Sequence, residues 1–402
     1  MKIYRVGGAV RDALLGLPPG DTDWVVVGAT PERMAELGFT PVGRDFPVFL
    51  HPRTHEEYAL ARTERKTSRG YRGFAFNCSP EVSLEDDLAR RDLTINAIAQ
   101  ADDGSLVDPF GGQRDIEARI LRHVGEAFAE DPVRILRLAR FAARFPEFDI
   151  APETMALMRA MVASGEVDAL VPERSWQEIA RGLMTAKPSR MFLVLRECGA
   201  LARILPELDD LAVDGGYGFE RALQAVDHAA AADAPLEVRF AALCSRIAPE
   251  PGPAIEAIAD RLRVPNACRV LALLVAREQD AILAAIELPA DALAGLVTRL
   301  DLIRRPERLE PVLAAVRAAL AADRDCGSAR QAATRAAAAP VATADDIDFP
   351  QAGWLRQASA AARSVDAGAI AAGAGDPGEI PALIQRARVA AIAGIEAQRP
   401  AH

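Results

Sequence analysis

The first part of the chain alternates between short segments with strand spacing and short segments with helix spacing. Strand-like segments, rich in β-branched and aromatic residues, lie at 2–6, 21–27, 46–51 and 56–61. Helix-like segments lie at 10–15 and 31–37, and the second begins at a proline and ends before a glycine. Small helices that alternate with strands over roughly 110 residues predict an α/β domain.

Longer helical spacing follows this alternation. Residues 84–100 predict one helix, residues 106–112 a strand end with a turn, and residues 113–120 a further helix. A longer helix is expected after Asp131, which suits an N-cap when Pro132 occupies the first helical position.

Beyond Pro146 the pattern is helical with glycine and proline punctuation, and no segment has a convincing strand pattern. The predicted helices cover 152–163, 172–186, 188–198, 220–232, 236–247, 253–262, 268–284 and 306–322. Residues 209–217 and 339–352 are expected to be linkers or loops. The alanine-rich stretches 331–339 and 359–373 are compatible with helix or with partial order.

Composition excludes several classes of protein. The 402 residues, of which 50% are hydrophobic and 26% charged, suffice for several domains with substantial cores. The sequence lacks the run of about 18 apolar residues that a membrane span needs, and its N-terminus lacks the pattern of a signal peptide. Five scattered cysteines without a C-x-x-C motif fit free thiols in a reducing cytoplasm, not a zinc site or a disulfide framework.

The charge balance argues against a general nucleic-acid coat. The net charge is −10, of which residues 1–145 carry −2 and the remainder −8. Any nucleic acid must therefore be bound by local basic patches.

The candidate chemistry starts within the first 23 residues. Residues 7–12 read Gly-Gly-Ala-Val-Arg-Asp, and Asp21-Thr22-Asp23 leads into an apolar strand. Because residues alternate faces along a strand, Asp21 and Asp23 are expected on one side, where a divalent cation would relieve their repulsion. A glycine pair lets backbone amides approach a phosphate, and Arg11 adds a charge with fork geometry. A surface turn before a buried strand explains the aspartates equally well.

Two further segments admit a functional and an ordinary interpretation. Residues 62–72 carry five positive charges and one negative charge without periodicity, as in a solvated loop or in a loop that closes over a polyanion. Arg91 and Asn96 lie five residues apart, so a turn at Asp92 is needed to bring them together. Together they would suit a triphosphate and a sugar hydroxyl, whereas an exposed ion-pair cluster is the ordinary alternative.

Four arginines mark one face of the helix after Asp131. This arginine stripe consists of Arg134, Arg137, Arg140 and Arg144, at spacings of three, three and four residues. Like charges on one face repel each other, so the stripe is expected to face phosphates or carboxylates. The alternative is a solvated face relieved by acidic residues from elsewhere.

The order of these motifs resembles class II tRNA nucleotidyltransferases, the bacterial CCA-adding enzymes, in the multifunctional CCA protein form. The motifs are G-G-x-V-R-D at 7–12, D-x-D at 21–23, R-R-D-x-x-x-N at 90–96 and E-D-x-x-R-x-x-R at 130–137. Residues 43–52 and 57–64 are also similar to that family. The similarity is dense over residues 1–205 and thins beyond them.

The resemblance implies the α+β fold class, with a small N-terminal α/β nucleotidyltransferase head followed by an all-helical neck, body and tail. The implied domains are a catalytic head at 1–125, a neck with base recognition at 126–208, a degenerate HD-like body at 209–325 and a tRNA-binding tail at 326–402.

The resemblance also implies residue roles. Asp21 and Asp23 are the implied catalytic residues and ligands of Mg²⁺. The implied ATP- and CTP-binding residues are Gly8, Arg11, Arg91, Asp92, Asn96, Asp131, Arg134, Arg137 and Arg140. Within this set Asp131 and Arg134 resemble the pair that reads the base. Residues 62–76 resemble the flexible loop that helps the switch from C to A.

One departure concerns the body. Many enzymes of this type carry an HD phosphohydrolase domain, whose metal needs an adjacent His and Asp plus further histidines. Here Ser245 and Arg246 stand in those positions, and His228 is the only histidine between His123 and His402. One imidazole cannot build that site, so we expect neither phosphodiesterase nor phosphatase activity.

The implied activity is template-independent addition of C, C and A to the 3′ end of tRNA from CTP and ATP, with release of pyrophosphate. Poly(A) polymerase and partial CC- or A-adding enzymes are alternatives, and a catalytically silent tRNA-binding protein is an alternative from another class. The expected partners are tRNA, CTP and ATP, with no membrane. The expected location is the cytoplasm, and the expected oligomeric state is a monomer or a homodimer.

Overall fold

The computed structural model describes residues 1–18, 20–42, 48–66, 74–212, 216–247, 250–332 and 348–400. The chain forms two compact units. The first comprises Met1–Gly182 and Arg190–Ile204, and the second comprises Leu183–Ser189 and Leu205–His402. Within the described ranges, no helix combines the length and apolar character needed to cross a bilayer.

A mixed β-sheet forms the centre of the first unit. The strands of this unit are β1 (Lys2–Val6), β2 (Asp23–Val27), β3 (Thr40–Val42), β4 (Val48–Leu50), β5 (Glu57–Leu60), β6 (Thr63–Lys66), β7 (Phe74–Asn77), β8 (Ala99–Ala101), β9 (Leu106–Val107), β10 (Ile120–Leu121) and β11 (Asp149–Ile150). Seven of them form one sheet in the order β3-β4-β5-β2-β1-β8-β9. Strands β2 and β5 are parallel, and the other neighbours in this sheet are antiparallel.

Both faces of this sheet are covered by apolar side chains. Successive residues of a strand point to opposite faces, and Val25 and Val26 of β2 accordingly belong to different clusters. Val25 packs with Leu88 on one side, and Val26 packs with Met34 on the other. The central strand that begins at Asp23 is therefore held rigidly from both sides.

The helices of the first part of the chain surround the sheet and then continue beyond it. They are α1 (Gly8–Leu14), α2 (Pro31–Glu36), α3 (Leu84–Ala89), α4 (Gly112–Ala118), α5 (Val133–Arg144), α6 (Pro152–Ala163), α7 (Pro172–Leu183), α8 (Ser189–Glu197) and α9 (Leu201–Ile204). Helix α5 is strongly amphipathic, since Ile135, Leu136 and Leu138 are fully buried. Helix α6 has the predicted bounds at both ends.

The prediction of one helix over residues 84–100 is wrong beyond Ala89. Asp92 accepts a hydrogen bond from the backbone of Leu93 at 2.9 Å, which favours an extended turn over a continued helix. A 3₁₀ turn at Thr94–Asn96 follows, and the chain then enters β8, which pairs with β1. Pairing in the sheet therefore overrides the helical pattern.

Several short elements differ from the sequence-based expectations. Strand β11 lies in the part predicted to be helical, and it pairs in parallel with β10. Strand β6 lies inside the segment 62–72 that was predicted to be an aperiodic loop, and it pairs in an antiparallel direction with β7. Strands of two to four residues are too short to show a side-chain period, so backbone pairing alone reveals them.

The second unit is helical in its described part. Its helices are α10 (Pro206–Asp209), α11 (Tyr217–Ala231), α12 (Leu236–Cys244), α13 (Pro251–Leu262), α14 (Asn266–Leu283), α15 (Ala290–Arg299), α16 (Leu309–Ala332), α17 (Pro350–Arg363), α18 (Ala367–Gly373) and α19 (Ile380–Ala393). Helices α10, α15 and α19 were not predicted, and α17 begins inside the segment 339–352 that was predicted to be a linker or loop. Most of the alanine-rich stretch 331–339 and most of the predicted linker 339–352 lie outside the described residues.

The described chain has the predicted α+β fold class, with a sheet-containing head followed by helices. The four-domain division at residues 125, 208 and 325 stays a prediction.

Candidate active site

A tight turn joins β1 to α1 at the glycine pair. Gly7 has a φ of +70°, a conformation that glycine adopts without steric cost. A Cβ at Gly7 would lie 2.9 Å from Nη1 of Arg91, so a larger residue would displace that guanidinium. Gly8 then opens the helix that contains Arg11. The turn thereby brings the glycine motif next to the arginine of a motif that lies more than 80 residues along the chain.

The two aspartates differ in their backbone positions. Asp23 is the first residue of β2, opposite Val6 of β1, whereas Asp21 precedes the strand. The expectation that the strand begins at Asp21 is therefore corrected, because the pairing with β1 reaches only to Asp23. Both carboxylates nevertheless line the same cavity. Partial burial raises the pKa of Asp23, the charge of Arg91 opposes that rise, and the charge of Asp21 adds to it.

The donor set at these aspartates suits a hard divalent cation. Among the residues that the structure describes, no group of three or more His, Cys, Asp and Glu side chains could hold a metal ion. Asp21 and Asp23 would offer two carboxylates, which leaves the other positions to water and substrate phosphates. That division of ligands is typical of Mg²⁺.

One cavity of about 720 Å³ collects every predicted site residue. Its wall includes Gly8, Arg11, Asp21, Asp23, Arg91, Asp92, Asn96, Asp131, Arg134, Arg137 and Arg140. Ten arginines and four aspartates line it in total. This excess of positive charge in a concave wall attracts a polyanion such as a nucleoside triphosphate.

Asp12 joins the glycine motif to the far end of the arginine stripe. Its side chain is only 6% exposed. One oxygen accepts from Nε of Arg11 at 2.9 Å, and the other accepts from Nη2 of Arg144 at 2.9 Å. Arg11 also donates through Nη1 to Oδ1 of Asn96. Each guanidinium is therefore held in one orientation before any ligand arrives.

Asp92 forms the second junction of this network. Its Oδ1 accepts from Nδ2 of Asn96 at 3.0 Å, and its Oδ2 accepts from Nε of Arg137 at 2.8 Å. Burial alone would raise the pKa of Asp92. The charge of Arg137 and the hydrogen bonds from Asn96 and Arg137 outweigh burial and hold that pKa at about 2. The turn at Asp92 that the sequence required is thus present.

Acidic residues from outside α5 relieve the repulsion within the arginine stripe. Glu178 of α7 is 6% exposed and accepts from Nε of Arg140 at 2.6 Å. Asp92 likewise accepts from Arg137, and Asp12 accepts from Arg144. The stripe also lines the cavity along its whole length. Buried acids from other segments therefore orient the stripe, and its open side faces the cavity. Whether that side binds phosphates stays a prediction.

Asp131 and Arg134 sit where α5 begins. The helix starts at Val133, so Pro132 precedes the first helical residue and does not occupy it. The N-cap is therefore Pro132 and not Asp131, which corrects the expectation, although Oδ1 of Asp131 accepts a hydrogen bond from the Val133 backbone at 3.1 Å. Its Oδ2 accepts from Nη2 of Arg174 at 2.7 Å.

Two backbone carbonyls fix the guanidinium of Arg134. Its Nη1 donates to the carbonyl of Ala127 at 2.9 Å, and its Nη2 donates to the carbonyl of Arg90 at 2.7 Å. Because carbonyls cannot move independently of the chain, the edge of Arg134 that faces the cavity has a fixed direction.

Sequence reasoning missed several residues that position the site. They are Asp12, Asp87, Arg174 and Glu178. Asp87 is fully buried and accepts from Nη2 of Arg90 at 2.8 Å and from Nη2 of Arg91 at 3.2 Å. One signal was available, because Arg174, Glu178 and Arg181 recur at spacings of four and three, which places them on one face of a helix.

The predicted flexible loop at 62–76 is described only at its ends. Arg62 lines the cavity. Residues 67–73, which include both glycines of that segment and Tyr71, lie outside the described residues.

The second unit has polar contacts at the positions where His and Asp were expected. Ser245 donates to the carbonyl of Ala242 at 2.9 Å, and Arg246 lies 3.8 Å from Asp323. Arg221 also forms an ion pair with Asp323. These contacts give Ser245 and Arg246 structural partners, and the expected lack of hydrolase activity stays a prediction.

The sequence matches two family models. Residues 3–122 match the model described as the Poly A polymerase head domain. Residues 147–211 match the model described as a probable RNA and SrmB-binding site of polymerase A. The first match covers the sheet and its helices.

Full-length relatives share more than half of the sequence. A Multifunctional CCA protein from Burkholderia mallei (strain SAVP1) is 55% identical over 98% of this chain and 98% of its own length. Another from Cupriavidus necator is 54% identical over 98% of this chain and 99% of its own.

Solved structures share the fold. The Bacillus stearothermophilus CCA-adding enzyme in complex with CTP has a TM-score of 0.64 at 26% identity, covering 96% of this chain and 88% of that chain. A CCA-adding enzyme in complex with ATP has a TM-score of 0.57 at 19% identity, covering 89% of this chain and 86% of that chain, and supports the fold alone.

Proposed function

We propose, because the chain belongs to the multifunctional CCA protein family, that it adds C, C and A to the 3′ end of tRNA. The reaction needs no nucleic-acid template, uses CTP and ATP, and releases pyrophosphate. The observation that carries this proposal is one cavity, whose wall combines the carboxylate pair Asp21 and Asp23, an excess of arginines, and the pair Asp131 and Arg134.

The family's nucleotidyl-transfer chemistry depends on a divalent metal, and Mg²⁺ is the ion that the two carboxylates suit best. Asp21 and Asp23 would hold it. When bound, such a cation lowers the pKa of the attacking 3′-hydroxyl and neutralises charge on the triphosphate.

The arginines of the cavity bind and orient the triphosphate. Arg11 and Arg91 are held by buried acids, so each presents a fixed fork to phosphate oxygens. The stripe arginines Arg137 and Arg140 extend the positive wall and stabilise the charge that develops on the leaving pyrophosphate. Asn96 supplies an amide for a ribose hydroxyl.

Asp131 and Arg134 select the base. A carboxylate accepts hydrogen bonds and a guanidinium donates them, so the pair matches cytosine and adenine, which both present an amino donor beside a ring-nitrogen acceptor. The amino group would meet Asp131, and the ring nitrogen would meet Arg134. A side-chain pair thus replaces a template base.

The rival activities are less well supported. The family model that matches residues 3–122 is named for the head domain of poly A polymerase. The relatives that match along the whole chain, however, are CCA proteins at 55% identity. A catalytically silent tRNA-binding protein would not need Asp21 and Asp23, because two neighbouring carboxylates repel each other electrostatically. A cytoplasmic location is part of the proposal, because its substrates would be tRNA, CTP and ATP. A monomer or a homodimer is compatible with the site, because one chain supplies the residues that line it.

The test is to incubate the protein with tRNA that lacks its terminal CCA, together with CTP, ATP and Mg²⁺, and to sequence the 3′ ends. The expected product ends in CCA and grows no further. A long A tail would favour poly(A) polymerase, arrest after CC would favour a partial enzyme, and no addition would favour the binding protein.

A further inference from the structure

Arg174 clamps the carboxylate that is proposed to read the base. Nη2 of Arg174 lies 2.7 Å from Oδ2 of Asp131, and Nη1 lies 3.4 Å from Oδ1. The guanidinium thus approaches the carboxylate with both terminal nitrogens, an arrangement that fixes the carboxylate plane. Oδ1 also accepts from the backbone of Val133 at 3.1 Å. The Asp131 side chain is 18% exposed and the Arg174 side chain 30% exposed, so the pair is partly screened from water.

The position of Arg174 on its helix is unfavourable without such a partner. Arg174 lies in the first turn of α7 (Pro172–Leu183), where the helix dipole disfavours a cation. The negative charge of Asp131 offsets that cost. Glu178 lies one turn further along the same helix and orients Arg140. One face of α7 therefore carries both the side chain that binds Asp131 and the side chain that binds Arg140.

The orientation of Asp131 decides which base it accepts. Each carboxylate oxygen has two lone pairs, and the contacts with Arg174 and with the Val133 backbone together engage both oxygens. The lone pairs that remain point in fixed directions. An amino group of cytosine or adenine can donate to them, whereas the carbonyl of uracil or guanine at the same place would bring two acceptors together. A carboxylate free to rotate would discriminate less.

We propose that Arg174 is a positioning residue for base choice, which acts by holding the Asp131 carboxylate in the orientation that accepts an amino donor. This inference rests on the proposed function, because it assumes that Asp131 reads the base. It concerns CTP and ATP against UTP and GTP, and Arg174 itself need not touch the nucleotide.

The experiment measures kcat and KM for the first addition to tRNA lacking CCA, with CTP and with UTP, for the wild type, Arg174→Gln and Arg174→Lys. For Arg174→Gln, the preference for CTP over UTP in kcat/KM is expected to fall by about tenfold, mainly through a higher KM for CTP. Lysine keeps the positive charge but lacks the paired terminal nitrogens of arginine. The preference of Arg174→Lys for CTP over UTP is therefore expected to lie between those of the wild type and Arg174→Gln.

A double-mutant comparison separates an effect through Asp131 from a direct one. In an Asp131→Ala background, Arg174→Gln is expected to change the preference no further. An equal rise in KM for CTP and for UTP that persists in this background would overturn the proposal, because it would mean that Arg174 binds phosphate. A uniform loss of kcat with a lower melting temperature in both Arg174 variants would also overturn it, as a purely structural role predicts.

The matched control is Arg159→Gln. Arg159 pairs with Glu197 at 3.3 Å at an exposed site, with the two side chains 56% and 57% exposed, and it does not line the cavity. The Arg159→Gln variant is expected to prefer CTP over UTP in kcat/KM to the same extent as the wild type. Failure of the wild type to add C, C and A would refute the proposed function, whereas addition with an unchanged preference in Arg174→Gln would refute only the role of Arg174.

Discussion

Nη2 of Arg144 lies 2.9 Å from Oδ2 of Asp12, although 132 residues separate the two along the chain. Asp12 follows the glycine pair, and Arg144 ends α5. The contact therefore ties the start of the head to the end of the arginine stripe. Through Arg11 and Asn96 the same network reaches Asp92, so one chain of ion pairs and hydrogen bonds runs along the cavity wall.

Removal of Asp12 should loosen this wall. Asp12→Ala leaves Arg11, which is 3% exposed, without its buried anion. We expect a loss of about 3 kcal/mol in the free energy of unfolding, because a buried charge becomes uncompensated. Urea unfolding measures this loss, and the KM for CTP should rise in parallel. Asp149→Ala is the control, since the Asp149 side chain is 93% exposed; an equal loss in both variants would contradict the role given to Asp12.

Asp21 should be needed for chemistry and not for tRNA binding. In Asp21→Ala one of the two proposed metal ligands is missing, so nucleotide incorporation should fall below detection while tRNA affinity stays within about twofold. Primer extension and filter binding measure the two properties. The control Asp102→Ala removes an exposed carboxylate from a turn and should keep full activity. Retained incorporation in Asp21→Ala would exclude Asp21 from the metal site.

Ionisation of Asp92 should make the free energy of unfolding depend on pH in the acidic range. Its pKa is about 2 in the folded protein, below its ordinary value of 3.8, so its ionised form is stabilised by folding. That contribution, about 2 kcal/mol, is complete above the unfolded pKa and is lost as pH falls through the folded one. Urea unfolding between about pH 5 and pH 2 should show it. The Asp92→Asn variant should show a shallower decline over that range; an identical decline would assign the effect to other carboxylates.

The second unit should lack hydrolase activity. Ser245 and Arg246 offer no metal ligands at the expected His and Asp positions, and His228 is bonded to Asp325 at 2.8 Å. We expect no metal-dependent hydrolysis of 2′,3′-cyclic nucleotides by a preparation that is active in CCA addition. Hydrolysis that requires a divalent metal and persists in Asp21→Ala would show that this prediction is wrong.

Local sequence determined the elements whose pattern is complete within one segment. Helix α6 has a proline at its start and helical spacing throughout, so its bounds were predictable. The stripe was visible because its arginines share one helix face. The motifs around Asp21 and Asp131 carried the resemblance to the family, since their order along the chain is a property of the sequence alone.

Tertiary structure alone decided what each charged group faces. The acidic partners of the stripe are Asp12, Asp92 and Glu178. They come from three separate segments, so the periodicity of any one segment does not predict them. The helix predicted over residues 84–100 ended early because pairing of β8 with β1 is a contact between distant strands. The clamp of Arg174 on Asp131 likewise spans 43 residues. Short-range periodicity records which face of an element is apolar, whereas the pairing of buried charges depends on where the folded chain brings those faces together.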